Sequence, residues 1–346
     1  MRVLFLGGPG NISFSTITDL LLHGHEVAVM KRSHGGLLGL EGKIRVFHGD
    51  RDHPETLSQV LAAFRPNQVV DASCFEVPQA QTLIHAVSAQ PCQRVVFIST
   101  ADVYGYPLSR LPMREDDPWA PPYGDYATNK LAIEQLYGEA FSRGKTRLTI
   151  VRPGYALGKT FSLTAMGINQ GGLLASRIRQ GRPVLSPGDG TTLIDAGAAH
   201  NTGRMIARIC EEPEAAGQAY TCAHPRAVTY DQYIEVFAEA VGRPAQIVHV
   251  PTDFLLSLGR PEVAHSLLPD MMGHHLYFSV EKFAHQFPGF EWEWSLTDAA
   301  RDFITHQEAT GGLTRLQLPQ FEDRVLEVWL QGMSTLRQTV LDHTVG

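Results

Sequence analysis

Short apolar runs alternate with amphipathic stretches through the first half of the chain. RVLFLGG leads into ISFSTITDLLLHG, and EVAVMKR and KIRVFHGD lead into PETLSQVLAAF. NQVVDAS precedes VPQAQTLIHAVSA, and QRVVFIST precedes a Pro-rich loop, a helical pattern over residues 125–143 and the run RLTIVRPG. Runs rich in Val, Ile and Leu, separated by helices, predict strands buried on both faces. The arrangement is α/β: a doubly wound parallel sheet covered above and below. Ligands of such sheets bind beyond the carboxyl ends of the strands.

After Gly154 the rhythm changes. GGLLASRIRQG and AAHNTGRMIARICEE read as helices, PVLSPGDGTT as a short strand and turn, and QAYTCA as a strand returning to the sheet. Residues 224–310 are mixed, with many aromatics and prolines. The predicted organisation is a dinucleotide-binding domain over 1–153, completed by about 216–223. A smaller mixed substrate lobe takes 154–215 and 224–310, and a C-terminal helical tail takes 311–346. TGGLTRLQLPQ sets off the tail's amphipathic helix, about 321–340, with Val325, Leu326, Val328, Trp329 and Met333 as an apolar face for packing within the chain.

Composition narrows the function classes. The chain has 346 residues, 43% hydrophobic and 19% charged, enough for two domains or one large elaborated one. A net charge of -7 argues against nucleic acid, whose partners carry basic surfaces. The four cysteines form no CxxC pair and the 15 histidines no ligand spacing, so no metal site is expected. No apolar run reaches the roughly 20 residues that span a bilayer, and VLFLGG is too short for a secretion signal. The expectation is a cytoplasmic protein with a small-molecule substrate and neither membrane nor nucleic-acid partner.

The first strand runs into FLGGPGNIS, with Gly7, Gly10 and Ser13 spaced GxxGxxS. Between a strand and a helix, such glycines let a pyrophosphate approach the backbone, and the helix N-terminus supplies N–H donors. This is a Rossmann-type turn. The second strand ends in Lys31 and Arg32 with no carboxylate. Two cations suit a ribose 2′-phosphate, so NADP is expected, with NAD as the alternative. HGDRD then places Asp50 and the Arg51 backbone near the adenine. In YGDYATNK, Tyr126 and Lys130 share one helix face. On spacing alone they fit either a solvated turn or a base beside the group that tunes it.

GGPGNIS, GDRD, STADVYG, YATNK and VRPG together resemble the extended short-chain dehydrogenase/reductase family, the NAD(P)-dependent epimerase/dehydratase group. PGDGTT, IVHVPTDF and YFSVEKF resemble its nucleoside-sugar epimerase-like members. The resemblance implies an oxidoreductase or epimerase acting on a secondary alcohol or ketone of a sugar, free or nucleotide-linked. It assigns Tyr126 as acid/base, Lys130 as the cation lowering its pKa and holding the nicotinamide ribose, and Thr100 as the group orienting the hydroxyl. Asp102 is a further candidate for proton transfer. The candidate cofactor contacts are Gly7, Gly10, Asn11, Ile12, Lys31, Arg32, Asp50, Arg51, Ser73, Lys130 and Pro153. A homodimer built on sheet-flanking helices is also implied.

Two departures bear on the reaction. Sugar 4,6-dehydratases carry Thr-Asp-Glu where this chain has Thr100-Ala101-Asp102, and alanine cannot act as an acid. Sugar-nucleotide enzymes also place an Asn and an Arg at the diphosphate, where this chain has Tyr155 and Ile194. Either Arg177, Arg179 or Arg243 takes over, or the substrate has no diphosphate. A dehydratase or a non-sugar ketone reductase is the alternative enzyme, and a non-catalytic cofactor-sensing or RNA-associated protein the alternative of another class.

Overall fold

The computed structural model describes residues 1–168, 170–313 and 320–343. Its centre is a seven-stranded sheet. Along the chain come β1 (Arg2–Leu6), α1 (Ser13–Leu22), β2 (Glu26–Lys31), β3 (Arg45–His48), α2 (Pro54–Phe64), β4 (Gln68–Asp71) and α3 (Val77–Ser88). Then come β5 (Arg94–Ile98), α4 (Gly124–Phe141) and β6 (Arg147–Pro153). The sheet order is Ala219–Cys222, β6, β5, β4, β1, β2, β3, and every neighbouring pair is parallel. From β1 the chain winds out to β3, then returns to β4 on the other side. Leu6 therefore has Met30 on one flank and Asp71 on the other, and the glycine turn opens at this reversal.

Strand alternation builds the two cores. Val3 and Phe5 pack with Ile17, Leu20, Met205 and Ile206 on one face. Leu4 and Leu6 pack with Leu57, Phe64, Leu83 and Ile133 on the other. Both sets are buried, as strands covered by helices on two sides require.

The substrate lobe contains α5 (Gly171–Gln180) and α7 (Tyr230–Val241), short strand pairs and the helix Leu296–Ala309. Tyr155, Ile178, Leu185, Phe237 and Phe303 belong to its own core. Within 224–310, α7 and Leu296–Ala309 emerge from a stretch that reads only as mixed. Their capping boxes, Thr229 with Gln232 and Ser295 with Asp298, were local signals for both helices.

Two boundaries differ from expectation. The helix α6 (Ala199–Glu211) falls within the 154–215 expected in the lobe, but it packs on the sheet through Met205, Ile206 and Ile209. A Cβ on its Gly203 would lie 2.6 Å from Ser15 Cβ, so the missing side chain lets α6 press against α1. In the tail, the helix Gln320–His343 buries Val325 and Leu326, while Val328 and Met333 are exposed. The expected apolar face is thus internal only in its first turns, where Arg177 also pairs with Glu322 and Asp323. Residues 314–319 of the expected separator lie outside the described residues.

Candidate active site

The glycine turn has the shape a dinucleotide needs. Gly7 has φ +90°, and a Cβ there would stand 2.6 Å from Ser73 Cβ, so only glycine fits. Ser73 is itself fixed by donating to the Leu6 carbonyl at 3.0 Å. A Cβ on Gly10 would meet only Ser13 Oγ, at 3.7 Å, which leaves that face of the turn open. Asn11 donates to the Ala156 carbonyl at 2.7 Å and accepts from Thr160 N at 3.3 Å, tying the turn to the start of the lobe. Ile12 is the N-cap of α1, where free N–H groups suit a phosphate. Pro153 closes β6 beside Cys222. This cradle fits a nicotinamide dinucleotide.

Past β2 the two cations diverge. Lys31 Nζ donates to the Gly35 and Gly36 carbonyls at 3.0 and 3.3 Å, which shapes the loop. The Arg32 side chain is 74% exposed and reaches Asp50 only at 3.8 Å.

Arg51, expected at the adenine through its backbone, sends its side chain inward. The guanidinium grips both oxygens of the fully buried Asp71 and donates to the Gln79 carbonyl at 3.1 Å. Tyr137 donates to the same carboxylate at 2.5 Å. Arg51, Asp71 and Tyr137 thus join the loop after β3, the end of β4, α3 and α4. Asp71 and Tyr137 were missed in the sequence, although a carboxylate closing the apolar run NQVVD is a legible anomaly.

At the end of β5, Thr100 caps the turn Ala101–Tyr104 and its hydroxyl donates to Asp102 Oδ2 at 2.9 Å. Tyr106, a second residue the sequence reading missed, donates to Asp102 Oδ1 at 2.5 Å. Tyr126, in the first turn of α4, is 48% exposed, and its phenol hydrogen-bonds the Thr100 hydroxyl. The fold therefore brings Thr100, Asp102 and Tyr126 together beyond the carboxyl end of β5. Lys130 lies one turn along α4, 2% exposed, and donates to the Ile98 carbonyl at 2.8 Å. Its ammonium is 4.8 Å from the Phe75 ring centroid and 5.8 Å from that of Tyr126.

The electrostatics correct one expectation. Lys130 was expected to lower the phenol pKa. Instead, burial of the hydroxyl and the Asp102 charge push Tyr126 up to about 12. Burial of Lys130 itself drives it down to about 8, against the opposing pull of Asp71 and Cys74. With its ammonium buried and turned onto the Ile98 carbonyl, Lys130 is not among the groups that move the phenol here.

This has a measurable consequence. The folded state releases the Lys130 proton near pH 8, whereas an unfolded lysine keeps it to about 10.4. Unfolding therefore takes up a proton in that window, so this group's contribution to stability rises with pH there and is least below pH 8. Wild type should gain melting temperature relative to Lys130→Met between pH 7.5 and about 10. A constant difference would show that Lys130 titrates normally.

The cations proposed for a diphosphate are engaged elsewhere. Arg177 is 2% exposed and bonds the Pro183 carbonyl, Glu322 and Asp323. Arg179 pairs with Glu308, and Arg243 donates to the Arg179 carbonyl at 2.6 Å. Tyr155 bonds the Tyr233 hydroxyl at 2.5 Å in the lobe core, and Ile194 is buried. Cys74 is buried and its thiol is pushed up to about 12 by that burial, as suits a structural thiol. Among the described residues no three His, Cys, Asp or Glu side chains gather as metal ligands, and no helix is long and apolar enough to cross a membrane.

A doubly wound sheet with a phosphate-accepting turn at its reversal, and a Tyr–Thr–Lys set beyond β5, defines a nicotinamide-dependent oxidoreductase of the extended short-chain type. Residues 3–223 match the NAD dependent epimerase/dehydratase family, and the chain belongs to it. It is therefore an NAD(P)-dependent enzyme. The 2'-dehydrokanamycin reductase of Streptomyces kanamyceticus is 27% identical over 256 residues, 73% of this chain and 70% of that protein. The UDP-glucose 4-epimerase of Lacticaseibacillus casei is 30% identical over 155 residues, 39% of this chain and 46% of that one. Among solved structures, the Bifidobacterium longum UDP-glucose 4-epimerase, in complex with NAD+ and UDP, superposes with TM-score 0.72. Its identity is 18%, covering 90% of this chain and 99% of that one. The Thermotoga maritima UDP-glucose 4-epimerase, solved with UDP-glucose, gives 0.71 at 17% identity, covering 90% and 99%.

Proposed function

We propose that the protein is an NADP-dependent oxidoreductase that interconverts a secondary alcohol and a ketone on a sugar, with ketone reduction the direction its own groups favour. The observation carrying this reading is the convergence of the Tyr126 phenol, the Thr100 hydroxyl and Asp102 beside the nucleotide cleft. Tyr126 hands its proton to the substrate oxygen or takes it back. The Thr100 hydroxyl, which donates to Asp102 while Tyr106 donates to the other carboxylate oxygen, turns to the substrate oxygen when it binds, orients it and steadies charge forming on it. Lys130, anchored on the Ile98 carbonyl, is placed to hold the nicotinamide ribose. The bound nicotinamide supplies or accepts the hydride. A phenol pushed up to about 12 is protonated at neutral pH, and a protonated phenol is the acid that ketone reduction requires. The relative from Streptomyces kanamyceticus, a reductase by name, agrees with that direction. The relatives named UDP-glucose 4-epimerase favour a second reading, epimerisation through the same ketone.

NADP rests on Arg32. With Lys31 occupied by the loop carbonyls, the exposed Arg32 fork is the group left to receive a 2′-phosphate. Arg32→Glu is expected to weaken NADPH binding about tenfold to a hundredfold, the worth of one charge-assisted contact, and to leave NADH nearly unchanged. Calorimetric titration of both cofactors checks it; equal effects on the two would return the choice to NAD. The reaction itself is tested by following NADPH oxidation against keto sugars, simple ketones and UDP-glucose with NADP+.

A further inference from the structure

The tail helix Gln320–His343 carries apolar residues at a seven-residue repeat. Leu326, Met333 and Val340 recur at one position of the repeat, and Trp329 and Leu336 at the position three residues on. A period of 3.5 lays one apolar seam along a helix, the pattern by which a helix packs on another helix. The seam starts inside the chain. Leu326 is buried in the lobe core, and Trp329 lies half-buried against that core with its ring centroid 5.1 Å from that of Phe254, on the short helix Thr252–Ser257. Beyond Trp329 the same face runs out past the lobe. Met333 is 47% exposed and Leu336 62%, and Leu330, which flanks the seam, is exposed as well.

Two further observations bear on what covers this face. Residues 328–341 hold a single charged side chain, Arg337, and no carboxylate, in a chain that is 19% charged with a net charge of -7. Two such chains repel each other on balance, and a strip free of carboxylates is where they can meet. A helix that lies on anionic lipid is instead rich in Lys and Arg, which one arginine does not supply. The apolar exposure is also concentrated. Among the described residues, six of the fourteen exposed large hydrophobic side chains fall within 328–341. The sheet-flanking helices α3 and α4, where the resemblance implies a homodimer, contribute only Tyr126, at the active site. Their outer groove sets Gln81, His85, Ser88 and Glu139 around half-buried Ile84 and Leu136.

We infer that two copies of the chain form a dimer through their tail helices, packed antiparallel, rather than through α3 and α4. Met333 of each copy lies against Leu336 of the other, and the end of each seam at Val340 reaches the other copy's Trp329 and Phe254. Area decides the orientation. Residues 328–341 span about 21 Å, and a strip of that length on a helix about 10 Å wide offers roughly 400 Å² of surface on each copy. Two seams alone, as in a parallel pair, bury about 800 Å², the size of a packing contact, whereas a stable dimer buries at least about 1,200 Å². In the antiparallel pair each tail end covers the Phe254–Trp329 shelf of the other copy, and two such aromatic shelves add roughly 200 Å² each.

The test uses the full chain in sedimentation equilibrium over a range of protein concentrations. Wild type should sediment at twice the chain mass. Met333→Glu combined with Leu336→Glu, two exposed positions, should raise the dimer dissociation constant about a hundredfold or more, because each carboxylate would be buried against an apolar seam. NADPH binding within twofold of wild type shows that this variant is folded. His85→Glu, on the groove between α3 and α4, should leave the mass unchanged. Leu330→Cys combined with Arg337→Cys should give a disulfide-linked dimer on oxidation, since these positions flank an antiparallel seam on the same side, and neither variant alone should. The native cysteines are buried, so the introduced thiols are the accessible ones. A wild-type monomer at every concentration, a dimer that survives both glutamates, or a dimer broken by His85→Glu would overturn the inference. A disulfide through Val340→Cys alone would overturn the antiparallel pairing. Flotation of wild type with phosphatidylserine vesicles, abolished by Met333→Glu, would assign the face to lipid and overturn it too. None of these outcomes touches the oxidoreductase reading, which Tyr126→Phe tests separately.

Discussion

Tyr126→Phe should lower kcat by about 10²- to 10⁴-fold, the usual worth of a positioned acid–base group, while the NADP dissociation constant stays within about twofold. The substitution removes one oxygen and keeps the ring against Phe75, with the centroids 6.4 Å apart, so the cleft wall survives. The Thr100 hydroxyl still bonds Asp102 and could still orient the substrate, but no proton donor remains at the carbonyl oxygen. Stopped-flow measurement of hydride transfer checks the rate, and cofactor titration checks the site. A rate within threefold of wild type would exclude the phenol from the reaction. Tyr123, the other tyrosine at the start of α4, is 61% exposed and bonds Asp270 rather than Thr100, so Tyr123→Phe should leave kcat nearly unchanged.

Arg51→Met should destabilise the protein by about 3–5 kcal/mol, the range for breaking a buried ion pair. Asp71 is fully buried, and without the guanidinium its remaining hydrogen bond among the described residues is from the Tyr137 hydroxyl. The penalty comes from the stranded carboxylate rather than from the lost contact, so Arg51→Met combined with Asp71→Leu should regain much of the stability. Urea-unfolding midpoints of the single and double variants measure both. A single-variant loss below about 1 kcal/mol would mean that Asp71 takes up a proton and the pair holds little. Because this cluster also fixes α4 through Tyr137, Arg51→Met should weaken cofactor binding as well.

The motifs lying within one local element were legible from sequence. The glycine turn, the cations after β2 and the Tyr126–Lys130 spacing each follow from backbone periodicity or from the special geometry of glycine, and each lies on the element the sequence pattern indicates. Contacts between elements distant in sequence were not. Asp71 meets Arg51 and Tyr137 across 20 and 66 residues, and nothing in the spacing of those three encodes a cluster. α6 reads as a lobe helix because it follows lobe strands, yet the absent side chain at Gly203 draws it onto α1.

The sequence by itself determined the class of machine: alternating strands and helices, a phosphate turn between the first strand and the first helix, and a phenol one helical turn from an ammonium. Those are consequences of local periodicity and residue chemistry. Tertiary structure alone decided the electrostatics. It turned Lys130 onto the Ile98 carbonyl, left Asp102 to raise the phenol, and withdrew Arg177, Arg179 and Arg243 into other pairs. The sign of the field on a reacting group depends on which distant charges fold against it and which are shielded from it, and no spacing along a chain records that.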